Sequence, residues 1–337
     1  MSPGGLSKTR LAQMHEVMAG HVARGAVPGL VTLASRRGET HVDAIGMQKR
    51  GGQLPMRRDT IFRIASLTKP ITAAAAMILV EECKLRLDDP VDPWLPELAN
   101  RRVLRTVESP LDDTVPARRA IALRDLLTFR LGLGAVMAPT DTYPIQKAMV
   151  EAGVVPDAHM LLHPPDELMR RFGSLPLVHQ PGEKWLYHSG SEILGILIGR
   201  VSGRSLETFL RERIFAPLGM KDTAFSVPED KLDRLATCYR TDPKTGSLVV
   251  FDEARDGRFA SPPIFESGGG GLVSTVDDYF AFCRMMLNNG KHGNERILSR
   301  LSVELMTTDH ITPKQKAASP FFPGFWESRG WGFGLSM

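Results

Sequence analysis

The chain has 337 residues, enough for two domains or one large mixed one, and its 42% apolar and 24% charged content is that of a globular protein with a sizeable core. Those values exclude a disordered, collagenous or coiled-coil chain. Lys plus Arg number 42 and Asp plus Glu 38, and the net +4 is spread along the chain, so no basic footprint for nucleic acid is encoded.

Leu11, Met14, Val17, Met18 and Val22 are spaced for one face of a helix over 6–26, which should pack on a sheet. Segments 30–35 and 40–45 read as two strands joined by Arg36-Arg37-Gly38, a hairpin. Residues 60–64 form a further extended piece. Segment 71–80, alanine-rich and apolar nearly all round, predicts a buried helix. From 84 into the 230s, proline-rich connectors such as 89–96 and 163–165 alternate with helical patterns at 123–129, 166–172, 192–201 and 206–218. Strand patterns return at 236–241 and 248–251, followed by the glycine run 268–271 and an amphipathic helix over 275–289. The order strands, helices, strands predicts an α/β domain made from 1–65 and 230–337, with a mainly helical domain, 66–229, inserted.

Ser66-Leu67-Thr68-Lys69, at the start of the buried helix, is the sharpest chemical feature. Three positions apart, the two side chains share a helical face. Free N–H groups and the positive end of the helix dipole favour negative charge near Ser66 and disfavour a protonated Lys69, and burial acts the same way. A neutral amine can take the serine proton, and a serine hydroxyl is a poor nucleophile without such a base. An N-cap serine with a solvent-facing lysine fits the same four letters, but a lysine on so apolar a helix has little water to reach. Tyr187, in Tyr187-His188-Ser189, is the second feature: a phenol beside a Ser–Lys pair can pass a proton from nucleophile to leaving group. Alone it reads as a half-buried tyrosine capping a loop.

In order and surroundings these motifs resemble the serine β-lactamase-like hydrolases, which include class C β-lactamases, DD-peptidases and family VIII carboxylesterases. The resemblance runs over most of the chain, through Phe62-Arg-Ile-Ala-Ser-Leu-Thr-Lys-Pro70, Leu123-Arg-Asp-Leu-Leu-Thr128, Gln180-Pro-Gly182, Tyr187, Phe215-Ala-Pro-Leu-Gly-Met220 and 268–274. It implies a β-lactamase/transpeptidase-like fold, α/β plus all-α, with an antiparallel sheet flanked by helices, an inserted helical domain and a site in the cleft between domains. It also implies Ser66 as the acylated nucleophile, Lys69 as its general base and Tyr187 as the second proton-transfer residue, with no metal or organic cofactor.

The departures from the family pattern shape the expected substrate. Where Tyr-x-Asn is usual, this chain has Tyr187-His188-Ser189, so the amide that would hold a β-lactam or peptide carbonyl is absent, and small short-chain acyl esters are favoured. Ser189 and His188 are the substrate-contacting candidates; His188 beside Tyr187 could also tune proton transfer, although a surface or loop histidine is its plainer account. Leu127-Thr-Phe-Arg-Leu-Gly132 stands where a His-Thr-Ser-Gly-like run is common. The family's third motif, K-T-G or a His-x-Gly or Trp-x-Gly variant, lies on a strand that supplies the second oxyanion-hole N–H. Lys244-Thr245-Gly246 comes too early for it and sits in Asp242-Pro-Lys-Thr-Gly246, the composition of a hairpin turn. Gly330-Trp-Gly-Phe-Gly-Leu335 looks like the strand entry before that motif, so the motif and the strands after it are expected to be absent. The sheet would then have an uncovered edge, open to self-association.

Other features weigh less. His159 and His163 are four apart, as in a helical zinc pair, but no Glu follows the first and Pro164 ends the helix, so no metal site is expected. The glycine run lacks phosphate-loop spacing and reads as close backbone approach behind the active site. Phe280, Phe282, Met285 and Met286 read as core. Cys83, Cys238 and Cys283 fall in no disulfide or metal-site spacing and fit a reducing compartment. With no secretory-type apolar stretch before Arg24 and no apolar run near the roughly 20 residues of a membrane span, a cytoplasmic protein without membrane partner is expected. The reading is a serine hydrolase that forms an acyl-enzyme, most simply a carboxylesterase. Its rivals are a β-lactamase or DD-peptidase, and a catalytically impaired relative that binds a ligand in the old cleft.

Overall fold

The computed structural model describes residues 4–157 and 161–337. In chain order the elements are α1 (Lys8–Ala23), β1 (Gly29–Arg36), β2 (Glu39–Gly46), β3 (Phe62–Arg63), α2 (Thr68–Glu81), β4 (Arg102–Leu104), β5 (Thr114–Pro116) and α3 (Leu123–Leu127). There follow α4 (Pro144–Glu151), α5 (Pro165–Ser174), α6 (Ser189–Ser202), α7 (Leu206–Leu210), α8 (Ala216–Leu218), β6 (Cys238–Thr241), β7 (Leu248–Asp252) and β8 (Val273–Ser274). Last come α9 (Val276–Leu287), β9 (Lys291–His292), β10 (Glu295–Arg296), α10 (Arg300–Met306) and α11 (Pro313–Ala318). The chain divides into two compact units. One comprises Met1–Arg63, Gly219–Pro263 and Leu272–Cys283, and the other Ile64–Leu218, Ile264–Gly271 and Arg284–Met337.

In the first unit, β1 and β2 pair antiparallel from Gly29↔Gly46 to Arg36↔Glu39. The two residues between them, Arg37 and Gly38, both have positive φ, 49° and 81°, the condition for the primed turns whose twist matches a hairpin. α1 lies against this hairpin, its start capped by Ser7, whose hydroxyl accepts from the Arg10 amide. A buried ion pair joins β3 to β7: Arg63 Nε donates to Asp252 Oδ2 at 2.6 Å, and its remaining N–H groups reach the carbonyls of Ala236 and Glu253. β6 and β7 form a second hairpin, closed by Lys244-Thr245-Gly246. Asp242 Oδ1 accepts from the amides of Lys244 and Thr245, and Gly246 has φ 69°, so these three letters are a turn, as their composition predicts.

The second unit is built around α2 and α6, which pack on each other. Ala73, Ala74, Ala75 and Ala76 are fully buried, and their lack of side-chain bulk lets the neighbouring helix come close. α6 is buried without interruption from Ser189 to Ile198, because α3, α5 and α7 also pack on it, and it ends at Gly203 in the left-handed conformation. Beside these helices lies an aromatic cluster of Phe129, Trp185, Phe325 and Trp331, with Tyr187, Phe321 and Trp326 packed against it.

Among the described residues the named strands form five two-stranded antiparallel pairs. Three features differ from the sequence reading. The helical run 206–218 is three pieces, α7, a π-helical turn Arg211–Phe215, and α8. Pro164 stands just before α5 and opens that helix instead of ending one; His159 lies outside the described residues. Segment 330–335 is a closed turn: Gly330 and Met337 exchange two backbone hydrogen bonds of 3.0 Å, Gly334 takes φ 70°, and the buried rings of Trp331 and Phe333 hold it down. No helix among the described residues is long and apolar enough to cross a membrane.

The burial of α6 has a measurable energy. Leu197 in α6 has no exposed surface, so Leu197→Ala should remove about 2–5 kcal/mol of stability, read as a lower urea midpoint.

Candidate active site

Ser66 stands on the 3-10 turn Ala65–Leu67, just ahead of α2 rather than in its first turn. Ala65 has φ 45°, a conformation uncommon outside glycine. The turn leaves Ser66 and Leu67 exposed, while Thr68 and Lys69 are buried. Ser66 and Lys69 thus face different media, the serine at the surface and the amine out of water.

Lys69 is 1% exposed. Its Nζ lies 3.0 Å from Ser66 Oγ, donates to the Gly269 carbonyl at 2.6 Å, and sits 3.3 Å from His188 Nδ1. Burial pulls its pKa down to about 8, against an opposing pull from the Glu192 carboxylate. Tyr187 is hydrogen-bonded to Ser66, and its ring centroid is 4.7 Å from Lys69 Nζ. Burial pushes the phenol pKa up, more than the Ser66 contact brings it down. The ring is fixed by Phe321, Trp185 and Phe129, at centroid distances of 5.1, 5.6 and 5.7 Å. The three residues singled out by sequence therefore meet at one point.

His188 and Ser189 do not stand at that surface. Both are buried, and Ser189 opens α6. His188 is no ordinary loop histidine. It has φ 87° and ψ −66°, and the Ser189 amide reaches back to the Tyr187 carbonyl at 3.3 Å, which together make a γ-turn centred on residue 188. Its ring is turned inward, with Nε2 3.0 Å from Glu192 Oε1.

Sequence reasoning missed Glu192 and Ser267; of Gly269 it gave the close backbone approach of the glycine run but not its partners. The buried Glu192 carboxylate also accepts from Ser267 Oγ at 2.8 Å and from the Gly269 amide at 3.3 Å. Burial alone would raise its pKa, but the hydrogen bonds and nearby positive charge hold it below the usual carboxylate range. Gly269 has a steric reason to be glycine, since a Cβ there would lie 2.5 Å from Glu192 Oε1. One signal was available for Glu192: it follows a histidine by four positions at the head of an otherwise apolar helix. Among the described residues no His, Cys, Asp or Glu group could hold a metal ion.

The fold and its relatives define a serine hydrolase superfamily protein on the β-lactamase/transpeptidase-like fold. Residues 14–336 match the beta-lactamase family, and the chain belongs to it. It is 41% identical over 314 residues to Protein Rv1367c of Mycobacterium tuberculosis, covering 93% of this chain and 75% of that one. To Esterase EstB of Burkholderia gladioli the identity is 33% over 265 residues, covering 74% and 63%. The solved structure of EstCE1, titled a hydrolase with promiscuous acyltransferase activity, superposes with a TM-score of 0.76 at 25% identity, covering 97% and 83%.

A buried amine with a depressed pKa also leaves a mark on stability. Between about pH 8 and the ordinary lysine value of 10.5 the unfolded chain holds a proton that folded Lys69 has lost, so stability rises with pH through that window. The unfolding free energy of wild type relative to Lys69→Met should accordingly increase by about 3 kcal/mol from pH 7 to pH 11. Parallel urea titrations of the two proteins measure it; a difference independent of pH would mean that Lys69 titrates as an exposed lysine.

Proposed function

We propose that the protein is a serine esterase that forms an acyl-enzyme on Ser66 and acts on small, short-chain acyl esters. One observation carries this reading: the hydroxyl of an exposed serine is held 3.0 Å from an amine that is itself out of water. In the proposed reaction the neutral Lys69 amine takes the Ser66 proton as Oγ bonds to the ester carbonyl carbon. The tetrahedral adduct then collapses, and the alcohol oxygen leaves with a proton from Tyr187, whose phenol is replenished from the Lys69 ammonium. Water attacks the acyl-enzyme by the same groups in reverse, the acid departs, and Ser66 recovers its proton. Tyr187 suits the donor role because burial keeps its phenol protonated.

The ester preference rests on the sequence alone: Ser189 replaces the asparagine of the family's Tyr-x-Asn pattern, so the amide that would hold a β-lactam or peptide carbonyl is absent. An alcohol in place of water as acyl acceptor is the second reading, and the likeness to EstCE1 favours it. Three unpaired thiols, Cys83, Cys238 and Cys283, support a cytoplasmic location.

Wild type should hydrolyse p-nitrophenyl acetate and take up one equivalent of a fluorophosphonate probe, and Ser66→Ala should do neither. kcat/KM should rise with pH through a midpoint near about 8, because the amine must be neutral to accept the proton. Ester turnover retained by Ser66→Ala would defeat the assignment, and rapid nitrocefin cleavage would move the substrate class to β-lactams. Adding a primary alcohol and analysing the products separates transfer from hydrolysis.

A further inference from the structure

Three acceptors or donors surround Lys69 Nζ: Ser66 Oγ, the Gly269 carbonyl and His188 Nδ1. A neutral amine has two hydrogens and one lone pair. If both hydrogens are absorbed elsewhere, the lone pair is left pointing at the serine. The Gly269 carbonyl can only accept and takes one of them. His188 decides the other, according to which ring nitrogen bears the proton.

Glu192 fixes that choice. Its ionised carboxylate can only accept, and it faces His188 Nε2 at 3.0 Å, so in the neutral ring Nε2 carries the hydrogen and Nδ1 presents its lone pair to Lys69. Ser267 and the Gly269 amide supply the remaining donors to the carboxylate. The same Gly269 therefore accepts from Lys69 through its carbonyl and donates to Glu192 through its amide. Building on the esterase reading above, we propose that His188 and Glu192 are positioning residues that aim the Lys69 lone pair at Ser66 by holding His188 in the Nε2–H tautomer.

Glu192→Gln tests this because the change is isosteric and its effect on the tautomer has a definite sign. The new NH2 cannot face the Gly269 amide, which would set donor against donor, whereas Ser267 can rotate its hydroxyl to accept. The NH2 therefore turns toward His188 Nε2 and donates to it, which moves the ring proton to Nδ1 and points an N–H at the Lys69 lone pair. Ser66 acylation by p-nitrophenyl acetate should fall about a hundredfold, the scale of a lost general base, with little change in KM. The titratable groups facing Lys69 are Tyr187, His188 and Glu192; removing the Glu192 charge also moves the acid limb of kcat/KM to lower pH.

His188→Asn supplies the complement. Asparagine tolerates positive φ, and its Oδ1 can occupy the place of Nδ1 as an acceptor that needs no help from Glu192. It should stay more active than His188→Ala. In the Asn background, Glu192→Gln should cost only a few-fold more, a coupling that a merely structural role would not produce.

The tautomer is also read without turnover, by 15N shifts of the histidine rings, with His188→Asn assigning the signal among nine histidines. Wild type should show the Nε2–H form and Glu192→Gln the Nδ1–H form. An Nδ1–H wild type, or a folded Glu192→Gln protein that acylates within threefold of wild type with an unmoved acid limb, overturns the proposal. Turnover that survives Ser66→Ala overturns the esterase reading instead, and the ring shifts still decide the tautomer.

Discussion

An amine shut away from water must either lose its proton or be given charge and acceptors in compensation, and Lys69 sits between these limits. Its surroundings offer one carbonyl, one ring nitrogen, one hydroxyl and, a step further out, one carboxylate. Much of the second unit follows from keeping it there. Lys69 is dry because α2 is enclosed; α2 can be enclosed because its middle is alanine, against which α6 closes. The glycines at 268 and 269 then let a strand of backbone pass close over both helices. A Cβ on Gly268 would meet the Ser191 carbonyl at 2.5 Å, and Thr72 donates to the Gly268 carbonyl at 2.9 Å. The glycine run places the backbone that receives the lysine.

What the sequence disclosed follows the range of the interactions concerned. The β1–β2 hairpin, α2 and the pair Ser66 and Lys69 were legible because each is specified by neighbours within a few positions: a two-residue turn, an apolar periphery, a three-residue spacing. Tyr187 became legible through its resemblance to the family pattern, in company with segments spread over the chain. Glu192 and Ser267 are 75 positions apart in sequence, and no local pattern brings them together. His188 was misread for a different reason. Histidine beside a tyrosine in a connecting segment looks exposed, and only the γ-turn puts it inside. Segment 330–335 was misread because alternating glycine and aromatic residues suit an extended strand and a tight turn equally well; the paired Gly330–Met337 hydrogen bonds and the positive φ of Gly334 make it a turn.

The γ-turn has a geometric purpose that its cost makes visible. Adjacent side chains diverge in regular backbone, by about 100° around a helix and to opposite faces of a strand. Tyr187 and His188 nevertheless both reach Lys69 Nζ, one with its ring and the other with Nδ1. Reversing the chain within three residues brings two consecutive side chains to one atom. A non-glycine residue held at such φ and ψ costs on the order of 1–3 kcal/mol, which the buried α6 that follows can sustain.

The carboxylate behind the histidine bears on how basic the site is. Burial without Glu192 would drive the lysine lower still, and in the proposed reaction a weaker base would take the serine proton less readily. Glu192 opposes that fall, and the amine settles near about 8, close enough to neutral pH for an appreciable unprotonated fraction to coexist with useful basicity. The carboxylate could not do this at the surface, where solvent would screen it, nor in direct contact, where an ion pair would lock the lysine as a cation. Interposing one imidazole keeps the charge near enough to be felt and too far to bind.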